Sequence, residues 1–204
     1  MNGISQIAGL AGNVLFIVVI LMALLRALRL PRRVVWVAMA LAAIGACIPV
    51  GGLPLAAYVR GVLGDLSMPL LIVMGSALWH YARDRRQQNL KERNILLVIA
   101  ALCGLIFYPL ALGVGYTDPY RLGFGNIWFV ALLLAFALCA IYKNFYLLAS
   151  CVMLSVLAWS IHLYEANNLW NYLLDPLLVI YAVMALAGQG IVAVWQSRKC
   201  AALD

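Results

Sequence analysis

Few side chains in this chain could act on a solute, and those few recur at matched positions. Asp65 stands a turn before Pro69-Leu70-Leu71-Ile72, and Asp175 stands directly before Pro176-Leu177-Leu178-Val179. Asn13 follows Gly12 and leads into Val14-Leu15-Phe16, while Asn126 follows Gly125 and leads into Ile127-Trp128-Phe129. Two carboxylates and two amides around one cavity would favour a cation or a hydroxyl-rich molecule. Ionisable groups at membrane depth are costly, and by default they face a bundle interior and mark function. Each Asp fits a helix N-terminus equally well, where a carboxylate accepts from free N–H groups and complements the macrodipole. The proline after each one loosens the local backbone hydrogen bonding.

Two further groupings carry polar chemistry. The stretch from Tyr116 to Gly125 holds Asp118 and Arg121 among phenols. Asp-Pro followed by glycines is a turn signal, yet Arg121 could also grip a phosphate or carboxylate with two parallel hydrogen bonds. His162 and Glu165 are three apart and share a face if the helix continues through them. With Asp118 they form the catalytic set an enzyme would use, as an acid/base pair with a supporting carboxylate. Asn167, Asn168 and Asn171, beside Trp170 and Tyr172, resemble a sugar- or headgroup-binding surface as much as an interfacial loop. The substrate-binding set of a transporter would be Asp65, Asp175, Asn13, Asn126 and Arg121. No CxxC pair or zinc-type cluster surrounds the two histidines, so no metal is expected. His80, between Trp79 and Tyr81, reads as an interface residue. Nucleophile-elbow, HExxH, Walker and dinucleotide patterns are absent, as is a basic-aromatic nucleic-acid face, and no cofactor can be named.

The elements that must position these residues are membrane helices. The chain has 204 residues, 67% hydrophobic and only 10% charged, with a net charge of +7. Soluble domains run near a quarter charged, so a soluble enzyme, a disulfide scaffold and a disordered chain are all excluded. A span needs about 20 apolar residues. Seven candidates follow: Ile7 to Leu28, Val34 to Val59, Val62 to Ala82, Ile95 to Tyr116, Phe124 to Tyr142, Phe145 to Tyr164 and Tyr172 to Trp195. Pro49, Gly51, Gly52 and Pro54 interrupt the second, which is expected to divide into a helix and a short surface element. The cysteines lie mostly inside these apolar runs and read as small packing hydrophobes.

Twelve of the fourteen basic residues fall in one set of connections, with only Arg60 and Arg121 on the other side. The positive-inside rule then places the N-terminus outside and the C-terminus in the cytoplasm of a multi-pass inner-membrane protein. Asp84 and Glu92 belong to the basic, cytoplasmic connection. Asp65, Asp118, Glu165 and Asp175 map to the outer side. No basic segment precedes the first apolar run, so that run is expected to be a retained helix rather than a cleaved leader.

The matched Asn and Asp positions also suggest an internal repeat. Without gaps, the segment from Gly12 to Ala27 agrees with that from Gly125 to Ala140 at Gly12, Asn13, Phe16, Leu21, Leu25 and Ala27. The expected organisation is a single all-α transmembrane domain over residues 1–204. It comprises a first three-helix half over 7–82, a linker helix over 95–116 and a second three-helix half over 124–195, in parallel orientation. This layout is similar, in topology alone, to the three-one-three architecture of the SWEET and PQ-loop transporters; the Pro-Gln dipeptide of that group does not occur here. The function expected first is transport of a small cationic or polyhydroxylated solute. Two alternatives stand beside it, an enzyme acting on a lipid-linked group at the outer face and a non-catalytic subunit of an envelope assembly. The partners implied are the bilayer, a polar solute or lipid headgroup, and for the third case another membrane protein.

Overall fold

The computed structural model describes residues 3–84 and 90–201. Arg85, Arg86 and Asp204, which entered the charge pattern, lie outside those residues. The chain is all-α and 78% helical. Its helices are α1 (Gly3–Ala27), α2 (Arg32–Cys47), α3 (Leu55–Leu63), α4 (Met68–Ala82), α5 (Leu90–Ala111), α6 (Ile127–Tyr142), α7 (Tyr146–Ser160), α8 (Trp170–Leu173) and α9 (Pro176–Ala201). Three stretches, Gly3–Ala27, Leu90–Ala111 and Trp170–Val192, are long and apolar enough to cross a membrane, which marks the chain as a membrane protein.

The remaining apolar helices are shorter than hydropathy implies. Helices α4 and α7 have 15 residues and α6 has 16, against about 20 for a full crossing. The apolar runs overshoot because the connections are themselves apolar: Leu66, Leu169 and Leu174 are buried although none of them is helical. The run from Val34 to Val59 divides where its prolines and glycines predict. Helix α2 stops at Cys47, and Pro49–Val50 pairs antiparallel with Leu53–Pro54. Gly51 and Gly52 turn the hairpin at φ 62° and 94°, the left-handed region that favours glycine, and α3 follows. The run from Val62 to Ala82 breaks as well. Gly64, at φ 75°, closes α3, and α4 starts afresh behind Ser67, whose hydroxyl accepts from the Leu70 N–H at 3.4 Å.

The helices pack as a row, α2–α1–α4–α7–α6, with the α5–α9 pair laid against its centre through α7 and α4. Helix α5 meets α9 closely because Gly104 lets Val179 approach; a Cβ at Gly104 would lie 2.3 Å from Val179 Cγ2. Small residues serve this purpose between membrane helices. Under the expected repeat α4 and α9 correspond, but their surroundings differ. Helix α4 lies against α1, whereas α9 lies chiefly against α5.

Glu92 departs from its expected place in a solvated basic connection. It is buried, and its carboxylate accepts from the backbone N–H groups of Leu147 and Leu148. Helix α7 begins after Phe145, which supplies no capping side chain, so Glu92 on α5 caps it from a neighbouring helix.

Candidate functional site

The polar residues gather at the end of the bundle opposite the arginine-rich connections, where α4 and α9 begin and α5 ends. Asp175 precedes α9, and its Oδ1 accepts from the Leu178 N–H at 2.6 Å. Its Oδ2 accepts from the Ser67 N–H at 2.7 Å. One buried carboxylate thus joins the starts of α4 and α9, and the positive ends of both helix dipoles face it. Among the described residues no basic side chain pairs with Asp175.

Asp65 is held differently. Arg60 Nε donates to its Oδ1 at 2.7 Å and Arg60 Nη2 to its Oδ2 at 3.0 Å, a bidentate pair less than a fifth exposed. Gly9 on α1 makes room for it, since a Cβ there would come within 2.3 Å of Asp65 Oδ1 and 2.4 Å of Arg60 Nε. The hydrogen bond to Asp65 holds the Arg60 guanidinium above its ordinary value, against the opposing effect of burial. The two matched aspartates therefore have unlike roles, one a cap and the other an ion-pair partner.

Both nevertheless line one cavity of about 470 Å³, although they lie in opposite halves of the sequence. Three tyrosines share its wall. Tyr108 comes from the last turns of α5, next to the helix-loosening Pro109. Tyr120 sits in a 3-10 turn over Pro119–Gly123 and donates to Asn171 Oδ1 at 3.4 Å. Tyr164, in the connection beyond α7, donates to the Leu66 carbonyl at 2.9 Å. Burial pushes its phenol well above the usual range, and the charge of Asp65 adds to the shift. Phe107 and Trp170 complete the cavity wall with ring centroids 4.4 Å apart. Aromatic faces beside a carboxylate that has no basic side-chain partner among the described residues suit an organic cation, and the phenol and amide groups suit hydroxyls.

A second cavity of about 550 Å³ lies across the Arg60–Asp65 pair, lined also by Gln6, Leu53 and Glu165. Glu165 is exposed, and its charge also raises Arg60. The structure thus brings Glu165 toward Asp65 and Arg60. His162 is exposed at φ 52°, past the end of α7 at Ser160, so the helical face that it was to share with Glu165 does not form. Asp118 caps the 3-10 turn, accepting from the Tyr120 N–H at 3.0 Å. No two of Asp118, His162 and Glu165 are hydrogen-bonded to each other among the described residues. Nor is there a group of three or more His, Cys, Asp or Glu among them that could hold a metal ion.

The other expected site residues stand outside the tyrosine-lined cavity. Asn13 is fully buried and donates to the Gly9 and Gly64 carbonyls at 2.9 and 3.2 Å, tying α1 to the turn before Asp65. Asn126 caps α6 by accepting from the Trp128 and Phe129 N–H groups. Arg121 is exposed. Asn168 is not a surface residue but a buried strut: it donates to the Tyr120 carbonyl at 2.9 Å and accepts from the Trp170 N–H. Neither Tyr108 nor Tyr164 is among the site residues expected from sequence; Tyr108 carries a signal, a tyrosine directly before Pro109 near a helix end, and Tyr164 carries none. No family model matches this chain, and no curated protein or solved structure is significantly similar to it.

Proposed function

We propose that this protein is a multi-pass inner-membrane transporter that admits a small cationic or polyhydroxylated solute through the tyrosine-lined cavity. In this proposal the chain crosses the bilayer seven times, with the N-terminus outside and the C-terminus in the cytoplasm, and the cavity opens to the outer side. The distribution of basic residues supports the orientation. The observation that carries the function is the convergence of Asp65 and Asp175 on one cavity walled by Tyr108, Tyr120 and Tyr164. Arg60 neutralises the first carboxylate, while the second, held by the Ser67 and Leu178 N–H groups, keeps a charge that no basic side chain offsets among the described residues. The paired Asn and Asp residues of the expected parallel repeat have unlike partners. The outer-face enzyme would need Asp118, His162 and Glu165 to meet.

The test is uptake of labelled choline and glucose, one probe for each solute class, into proteoliposomes of the purified chain. Asp175→Asn is expected to lower uptake of the transported probe at least tenfold. Tyr108→Phe removes one hydroxyl from the cavity and is expected to weaken uptake severalfold without disturbing the fold. Unchanged uptake in both variants, or no uptake of either probe by the unsubstituted protein, would refute the proposal.

A further inference from the structure

A third cavity, of about 310 Å³, lies between α4, α5, α6, α7 and α9 and opens sideways past the exposed Cys103, Leu132 and Phe136. Its wall is apolar throughout, including Ile99, Cys103, Leu132, Phe136, Val152 and Leu178. Two observations tie it to the tyrosine-lined cavity. Trp170 and Leu174 belong to the walls of both. One stripe of α5 also serves both in succession: Leu96, Ile99, Ala100 and Cys103 face the apolar cavity, and Phe107 and Ala111 face the polar one. Those spacings of three and four residues keep the stripe on a single helix face. At about 1.5 Å per residue it runs for about 22 Å, the apolar part covering about the first 10 Å.

An elongated ligand following this stripe would pass from a wall without polar groups to one bearing phenols, an amide and a carboxylate. Water gains nothing in the apolar part, where it would lack two to four polar partners. The surrounding medium of a membrane helix is hydrocarbon. Resting on the assignment of the tyrosine-lined cavity as the solute site, we infer that the two cavities form one site for an amphiphile. Its amine- or hydroxyl-bearing head lies by Asp175 and Tyr108, and its single hydrocarbon chain lies along α5 past Cys103. Trp170, with its ring between Phe107 and Phe129 at 4.4 and 4.8 Å and its indole N–H donating to the Pro119 carbonyl, is the boundary at which head gives way to chain.

The test measures equilibrium binding to the full chain in nanodiscs, above the background of empty nanodiscs. The probes are two matched pairs, dodecyltrimethylammonium with choline and dodecyl glucoside with glucose. At least one long-chain probe is expected to bind tenfold or more tightly than its head alone. Cys103→Trp fills the apolar cavity and should abolish that advantage while binding of the head alone persists. Cys103→Leu, a smaller filling, should reduce the advantage if the tryptophan variant does not fold. Asp175→Asn should weaken the chain-bearing probe and the head alike. If chain length confers no advantage, or the Cys103 variants retain it, the amphiphile site is overturned and the solute site stands. If Asp175→Asn leaves every probe unaffected, the solute site itself fails.

Discussion

Gly9 shows how one missing methyl group positions a charged pair. The Arg60–Asp65 pair occupies the space where a side chain on α1 would sit, so Gly9→Ala must displace one partner or tilt α1. Overpacking of this kind costs about 1–3 kcal/mol. Thermal unfolding in detergent is expected to show a lowered midpoint for Gly9→Ala and none for Gly3→Ala, whose Cβ would meet nothing within 4 Å. Tyr164 adds a dependence on pH. Its phenol is raised above its ordinary value of about 10, chiefly by burial. Above pH 10 the unfolded chain therefore releases the proton while the folded chain keeps it, and stability falls as pH rises toward the folded value. Tyr164→Phe should flatten that alkaline decline, measured as the unfolding midpoint between pH 9 and about 11, at the cost of the bond to the Leu66 carbonyl. At this scale the sequence was informative about residue type and silent about partners. Asp65 and Asp175 look alike in sequence, but only packing decides that one meets Arg60 and the other meets two helix starts.

Helix ends account for most of what was and was not legible among the elements. Pro49, Gly51, Gly52 and Pro54 announce the break after α2, because proline and left-handed glycine cannot continue a helix. The break at Gly64 to Ser67 carries signals of its own in Gly64, Ser67 and Pro69, but Leu63 and Leu66, apolar for packing and not for crossing, keep the hydropathy high across it. Glu92 was hidden for the opposite reason: its neighbours are charged, so it reads as solvated, whereas it reaches the open start of α7. Glu92→Ala would leave the Leu147 and Leu148 N–H groups without that acceptor, a loss of about 1–3 kcal/mol for buried donors. Glu92→Gln keeps a carbonyl oxygen in place and should lose less. Chemical denaturation of the two variants is expected to rank alanine below glutamine, and equal stabilities would argue against the capping role.

For the whole molecule, charge and hydropathy made a helical membrane protein legible, while the arrangement of its helices was not. Long-range neighbours such as α5 with α9 depend on where a Gly104 meets a Val179, which no periodicity records. The orientation has a direct check. Alkaline phosphatase fused in the 113–117 connection should be active, and green fluorescent protein fused after the last residue should fluoresce. The reverse pattern would invert the proposed topology. The short helices have a consequence of their own. Helices α4, α6 and α7, at 15 or 16 residues, rise only about 22–24 Å, against a hydrocarbon core of about 30 Å. Such hydrophobic mismatch is relieved by local thinning of the lipid. If these helices cross the bilayer as proposed, a bilayer dimpled around them would draw the headgroups of one leaflet down toward the tyrosines.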